Sequence, residues 1–342
     1  MSPNTEIPRK AQPFISYNAT LIERVDLSHN LAIFRVRPDG NTPDDAQANV
    51  PDFEAGQYIV IGANNTECPE KGSVRRAYSI ASSPQEKRWL EFYVRLVEKP
   101  TSDNPLTPLL WKMQPGDRLH LGRKIVGHFT LSRTIGKQDD RWKIFVAAGT
   151  GLAPFVSILR SLMADGDTGL EKVILLHGAS RPHELGYKKE LEEVLNHTCQ
   201  RYFPTVSRHE QHPEWEGSRG RVETFFDAEE LETLEERLGM ACGEIIPSRS
   251  VVYICGLHGT ILQTLGRLLH RGFVPNDAKV RKALGISKEL PSSLFFEQYD
   301  SSPLFGSEDE LVASLKAQFL KSQNGDRQEN VEPQEGSCPL KP

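Results

Sequence analysis

Four short stretches carry residues whose types and spacing suit chemistry. "VRRAYS", residues 74–79, sets Arg76, Ala77, Tyr78 and Ser79 on one extended run. A guanidinium pairs with a diphosphate through two hydrogen bonds, and an aromatic ring stacks on a flat heterocycle. Arg76 and Tyr78 share a strand face because alternate residues do. "AAGTGLAPFVSIL", residues 147–159, follows an apolar run and opens a helical pattern. Glycine lets a ligand approach the backbone there, free amides at a helix start favour an anion, and Pro154 fits the first turn. "VYICGL", residues 252–257, ends an apolar run with Cys255 and Gly256, and "FFEQYD", residues 295–300, supplies Glu297 and Tyr299. Each has a plain alternative: an exposed arginine beside a core tyrosine, a tight turn without a ligand, a buried cysteine, a packing aromatic. The glycines of the second stretch are not spaced as the G-x-G-x-x-G dinucleotide fingerprint.

Elements on two different plans must position these residues. From about residue 14 to 135 the runs "LAIFRVRP", "QYIVIGA", "RAYSIAS", "WLEFYVRLVE" and "RLHLG" read as short strands between turn residues, the pattern of an antiparallel barrel. From Arg141 onward strands alternate with helices: "WKIFVAAG", "TGLAPFVSILRSLMADGD", "KVILLHGA", "ELGYKKELEEVLN", "RYFPTVS", "RVETFFDAEELETLEERL", "SVVYICG" and "GTILQTLGRLLHRG". Such alternation implies a parallel, Rossmann-like sheet with crossover helices. The expected organisation is a disordered tail over 1–13, a barrel over 14–138, an α/β domain over 139–300 and an extension over 301–342. That extension reads as one short helix capped at Ser307, then a solvated tail.

Composition narrows the function classes. A formal charge of −5 leaves no electrostatic footprint for nucleic acid. No apolar run reaches the length of a membrane span, and the first residues lack the apolar core of a secretory signal, so cytoplasm is the expected compartment. The five cysteines are scattered, with no spacing for zinc or an iron–sulfur cluster, and the histidines form no metal motif. No metal is expected.

"RAYS" in a barrel, then "GTGLAPF" and "VYICGL" in an α/β domain, in this order and with "AGQY" at 55–58, resembles the ferredoxin–NADP reductase family over about residues 14–300. The resemblance implies an FAD-binding barrel followed by an NADP-binding domain. It implies that Arg76 pairs with the FAD pyrophosphate, Tyr78 lies against the isoalloxazine and Ser79 hydrogen-bonds near flavin N5. "YVRL" resembles the second cofactor strand, making Tyr93, Val94 and Arg95 candidates. "NPLTPLL" resembles a pyrophosphate loop in which Thr107 supplies a hydroxyl. Asn104 and Pro108 depart there from the family's usual glycine and hydroxyl residue. Gly149, Thr150, Gly151 and Pro154 form the nicotinamide-side turn. Cys255 and Gly256 lie beside the nicotinamide, and Tyr299, in a Glu-x-Tyr with Glu297, stacks on the flavin. In the family's plant-type members the chain ends at that tyrosine, and its bacterial members usually extend only briefly past it, whereas this one runs on for 43 residues.

Arg181, Arg208 and Arg221 follow three successive strands or open a helix. Ligands gather at strand ends of an open parallel sheet, and three cations there suit the 2′-phosphate of NADP. The expected function is FAD-dependent electron transfer between NADP(H) and a one-electron carrier supplied in trans, ferredoxin or flavodoxin. Hydride passes at flavin N5, with Ser79, Cys255, Glu297 and Tyr299 as catalytic residues. Two alternatives stay open: a reductase of free flavin, ferric siderophore or quinone, and a regulatory module that binds FAD without turnover.

Overall fold

Period-two burial builds the first half of the molecule. The computed structural model describes residues 12–40, 50–136, 138–166, 168–196, 200–299, 303–305 and 310–325. Strands β1 (Ala19–Ser28), β2 (Leu31–Pro38), β3 (Tyr58–Asn64), β4 (Ser73–Ser79) and β5 (Leu90–Arg95) are followed by helix α1 (Leu106–Lys112) and strand β6 (Arg118–Leu121). They form an antiparallel sheet in the order β4-β3-β6-β1-β2-β5. Just past β4 the Ala81 amide donates to the Glu91 carbonyl at 2.8 Å, so the two edge strands meet and the sheet curls nearly shut. Alternate residues point inward: Ala32, Phe34, Phe92 and Val94 join Leu21, Ile59 and Ile61 in the barrel core. Strand β1 escapes the sequence reading because its outer positions, Glu23, Arg24 and Asp26, make it look like a polar segment.

Continuous burial builds the second half. After the short α2 (Leu131–Thr134) come β7 (Trp142–Ala148), α3 (Ala153–Ala164), β8 (Val173–Ala179), α4 (Lys188–Leu195), β9 (Tyr202–Val206), β10 (Ser218–Arg219), α5 (Ala228–Arg237), β11 (Ser250–Gly256), α6 (His258–Leu269), α7 (Ala278–Leu284), β12 (Leu294–Gln298) and α8 (Glu310–Gly325). Every residue of β8 and of β11 is buried, as expected of central parallel strands covered on both faces. The sheet runs β10-β9-β8-β7-β11-β12, all parallel. From β7 the chain moves outward one way to β8, and it returns to the other side of β7 as β11. The switch point of this sheet therefore lies between β7 and β11, where ligands of such folds bind.

Two sequence expectations change. "RVETFFDAEELETLEERL" is not one helix: a 3₁₀ turn over Val222–Phe226 buries Phe225 and Phe226, and Asp227, extended at ψ 148° and paired with Arg267 at 2.7 Å, restarts the chain as α5. The helix of the extension has 16 residues and buries Leu315 and Phe319 in the core shared with α6 and α7. Ser307 and the expected terminal tails lie outside the described residues.

Candidate active site

The site forms where the ends of β4, β7, β11 and β12 converge. On β4, an edge strand, Arg75, Arg76 and Ala77 are exposed, Tyr78 is half-buried and Ser79 is buried. Among the described residues the Arg76 guanidinium hydrogen-bonds only to the Arg75 carbonyl, at 2.8 Å. Tyr78 meets Phe92 edge to face at 6.5 Å, which fixes its ring at the rim of the barrel core. A cation with no acidic partner among the described residues, an anchored ring and a hydroxyl thus follow one another along one open edge. This is a fitting seat for a diphosphate joined to a flat ring system.

Across the domain boundary, the Ser79 hydroxyl donates to Oε2 of Glu297 at 3.2 Å. Glu297 in β12 sits opposite Cys255 in β11. Burial pushes the Glu297 carboxyl up to about 7, against the opposing pull of the Ser79 hydrogen bond. Cys255 is fully buried, and burial together with the nearby Glu297 charge pushes its thiol well above the usual range. It is a neutral thiol, not a nucleophile.

Tyr299 closes the cluster. Its hydroxyl donates to the Thr150 carbonyl at 3.1 Å, its amide donates to the Gly256 carbonyl at 3.3 Å, and its side chain lies beside Cys255. It keeps 39 % of its surface exposed. The rival aromatics Phe296 and Phe305 pack against the core instead, and Phe295 stacks on Tyr253 at 5.0 Å.

The glycine turn after β7 is shaped by its neighbours. At Gly151 a Cβ would stand 2.1 Å from the Cys255 carbonyl oxygen, so glycine is required by the close packing of this turn on β11. Gly149 adopts φ +54° and borders open space. Pro154 is buried in the first turn of α3.

Several residues expected at the cofactor have partners within the protein. Alternation sends Glu91, Tyr93 and Arg95 of β5 to the face that meets the second domain. Tyr93 is 2 % exposed, and its hydroxyl donates to the Glu184 carbonyl and accepts the Gly186 amide, both at 3.1 Å. Val94 points into the barrel core. Arg95 pairs with Glu184 at 3.2 Å and serves the domain interface. The Thr107 oxygen accepts the Val97 amide at 3.0 Å, which ties β5 to α1.

On the far side of the switch point, Arg181 follows β8, Arg208 follows β9 and Arg221 follows β10. Arg208 and Arg221 are exposed, and among the described residues neither has an acidic partner. Arg181 lies 3.7 Å from Glu184.

Sequence reasoning missed the seam between the domains. Glu91, 2 % exposed, pairs with Arg35 and Arg160, each at 2.7 Å, and accepts the Tyr187 hydroxyl at 2.9 Å. The available signal was the alternation Glu91, Tyr93, Arg95: three polar residues on one face of an otherwise apolar strand. A groove of about 710 Å³, lined by Phe53, Glu54, Leu131 and Ile158, lies on the α3 side, apart from this chemistry. Among the described residues no helix is long and apolar enough to cross a membrane, and no cluster could hold a metal.

A nearly closed antiparallel barrel joined at its edge strand to the switch point of a parallel sheet defines a two-domain flavin and nicotinamide oxidoreductase. Residues 18–129 match the family "Oxidoreductase FAD-binding domain", and residues 145–261 match "Oxidoreductase NAD-binding domain". The chain is 32% identical over 222 residues to ferredoxin–NADP reductase B of Sorangium cellulosum, a match covering 64% of this chain and 80% of the relative. It is also 32% identical over 169 residues to the ferredoxin–NADP reductase of Azotobacter vinelandii, covering 47% of this chain and 60% of that protein. A ferredoxin NADP+ reductase structure from Neisseria gonorrhoeae, with FAD and NADP bound, superposes with a TM-score of 0.63 at 22% identity, covering 83% of this chain and 98% of its own. The chain belongs to the ferredoxin–NADP reductase family, oxidoreductases that work with FAD and NADP(H).

Proposed function

We propose that this protein moves electrons between NADPH and a separate one-electron carrier of the ferredoxin or flavodoxin kind. The observation that carries this reading is the Ser79–Glu297 hydrogen bond, which joins the barrel edge to the switch point and so brings two cofactor seats together. Bound FAD supplies the chemistry, exchanging a hydride at N5 on one side and single electrons on the other. The chain's own residues do the rest. Arg76 neutralises the diphosphate, and Tyr78 holds the ring system flat. Ser79 lies at the head of the strand, where its hydroxyl passes a proton between the reacting ring edge and Glu297. A carboxyl near 7 both accepts and returns that proton at neutral pH. Cys255 and Gly256 line the place where the nicotinamide lies, and Tyr299 occupies that place until the nicotinamide enters. Arg181, Arg208 and Arg221 hold the 2′-phosphate, which favours NADPH over NADH.

The test has two stages. The purified protein is assayed with NADPH and NADH against ferricyanide, then for reduction of cytochrome c that depends on added ferredoxin or flavodoxin. The expected result is an FAD-containing protein with lower KM for NADPH and a carrier-dependent second reaction. Bound FMN, or electron transfer to free flavin, ferric siderophore or quinone in place of the carriers, would overturn it.

A further inference from the structure

Glu184 is 1 % exposed and lies in the loop between β8 and α4, yet its carboxylate is divided among three partners. Oε1 is 3.2 Å from Nη1 of Arg95, on the barrel, and 3.7 Å from Nη1 of Arg181, on its own loop. Oε2 accepts the Ser180 amide at 3.3 Å. The same loop is fixed to β5 a second time, through the Tyr93 hydroxyl. Burial alone would raise this carboxyl, but the Arg95 guanidinium and the Ser180 amide outweigh it and hold it below the usual range. The group is therefore a buried anion that must keep a cation.

A buried carboxylate shared by two guanidiniums sets up a competition. Arg95 is the closer partner, so Arg181 is needed only weakly and stays 30 % exposed. Remove Arg95 and the carboxylate has one cation left, because a buried charge without a partner is costly. Arg181 would then be drawn onto Glu184 and away from any ligand.

We propose that Arg95, although it stands on the barrel, is a positioning residue for the nicotinamide dinucleotide: by neutralising Glu184 it leaves Arg181 free to bind the 2′-phosphate. This rests on the reading of Arg181 as a phosphate ligand. It assigns Arg95 a part in cofactor choice, in place of the FAD contact expected from the sequence.

The experiment compares steady-state kinetics with NADPH and NADH, using the FAD-loaded protein and ferricyanide. Arg95→Met raises KM for NADPH about tenfold, a usual size for coupling between sites. It leaves kcat, KM for NADH and FAD content unchanged. Arg95→Lys, which keeps the charge, holds the wild-type KM. Glu184→Gln alone lowers KM for NADPH, and the double variant Arg95→Met/Glu184→Gln loses the defect of Arg95→Met. An unchanged KM for NADPH in Arg95→Met, an equal rise for NADH, loss of FAD, or failure of the double variant to recover overturns the proposal. So does an unchanged or raised KM in Glu184→Gln, a result that stands even where Arg95→Met does not fold. Arg181→Ala separates the two readings. If it leaves KM for NADPH unchanged, the phosphate site is misplaced; if it raises KM while Arg95→Met is silent, only the coupling fails.

Discussion

At the residue scale, Glu297 and His177 are the two groups whose titration the fold shifts most usefully. The Glu297 carboxyl, pushed up to about 7 by burial, binds its proton more tightly folded than unfolded. Its stabilising contribution is complete below the ordinary glutamate range and is lost as pH rises through 7. Glu297→Gln should therefore gain thermal stability relative to wild type between pH 5 and pH 8, read as a widening Tm difference. In turnover, the inflection near pH 7 in kcat should vanish in the same variant. His177 behaves oppositely. It is fully buried, its Nδ1 meets the Tyr202 hydroxyl at 2.9 Å, and burial pushes it down to about 3. The folded state needs it neutral, so stability is whole above the ordinary histidine range and falls at up to about 1.4 kcal/mol per pH unit between roughly 6.5 and 3. His177→Phe has nothing to protonate. Its Tm should fall less steeply over that window, and an identical slope would show that other groups govern acid unfolding. The sequence singled out Ser79, Cys255, Glu297 and Tyr299, which the fold brings together, because each stands in a short motif of chemically restricted residue types. The contacts of Tyr93 and Arg95 with the second domain could not be read, because which face of β5 meets that domain is set by packing between distant segments.

At the element scale, the glycine turn after β7 separates two uses of one residue type. Gly151→Ala pushes a methyl into the Cys255 carbonyl, and backbone on both sides must shift. Its cost should be several-fold that of Gly149→Ala, which meets open space and carries only the strain of φ +54°, about 1 kcal/mol. Urea midpoints of the two variants check this, and equal losses would refute it. Helix α8 makes a second case. Phe319 is 4 % exposed in the core shared with α6. Phe319→Ala should cost about 3–5 kcal/mol, whereas Leu320→Ala, at 51 % exposure, should cost little. Strand and helix alternation made most of these elements readable. β1 and the buried face of α8 were not readable, since one hides behind outward charges and the other is defined only by what it covers.

At the scale of the whole molecule, the two domains share more than a linker. Leu31, Ile33, Ala81, Tyr93 and Phe129 of the barrel side lie in one apolar cluster with Phe145, Phe155 and Val156 of the parallel domain. Over this cluster runs the Glu91 network, with Arg160 also bound to Glu190 at 2.6 Å. Burial would raise the Glu91 carboxyl, but the Arg160 charge and the Arg35 bond outweigh it and hold it low. Its contribution is thus present above the ordinary carboxylate range and lost as pH falls through the lowered folded value. Glu91→Gln removes the buried carboxylate that Arg35 and Arg160 share and leaves them only their outer partners, Glu23 and Glu190, so it should cost about 1–3 kcal/mol. Flavin fluorescence and far-ultraviolet circular dichroism should show the same fall in urea midpoint, because both domains lean on the seam. A change confined to one probe would mean that they unfold independently.

Tyr299 is anchored on both sides in the chain: β12 precedes it, and the packed helix α8 follows. If it covers the nicotinamide place as proposed, a ring held in this way would act as a tethered competitor, present at an effective concentration on the order of millimolar. Each 1.4 kcal/mol by which it keeps its seat against Thr150, Cys255 and Gly256 raises the apparent Kd of an incoming nicotinamide tenfold. NADH and NADPH bear this toll alike. On that reading the tether leaves the ratio of the two affinities unchanged and raises both apparent Kd values together, so at a fixed concentration only a dinucleotide with a further anchor would fill the site.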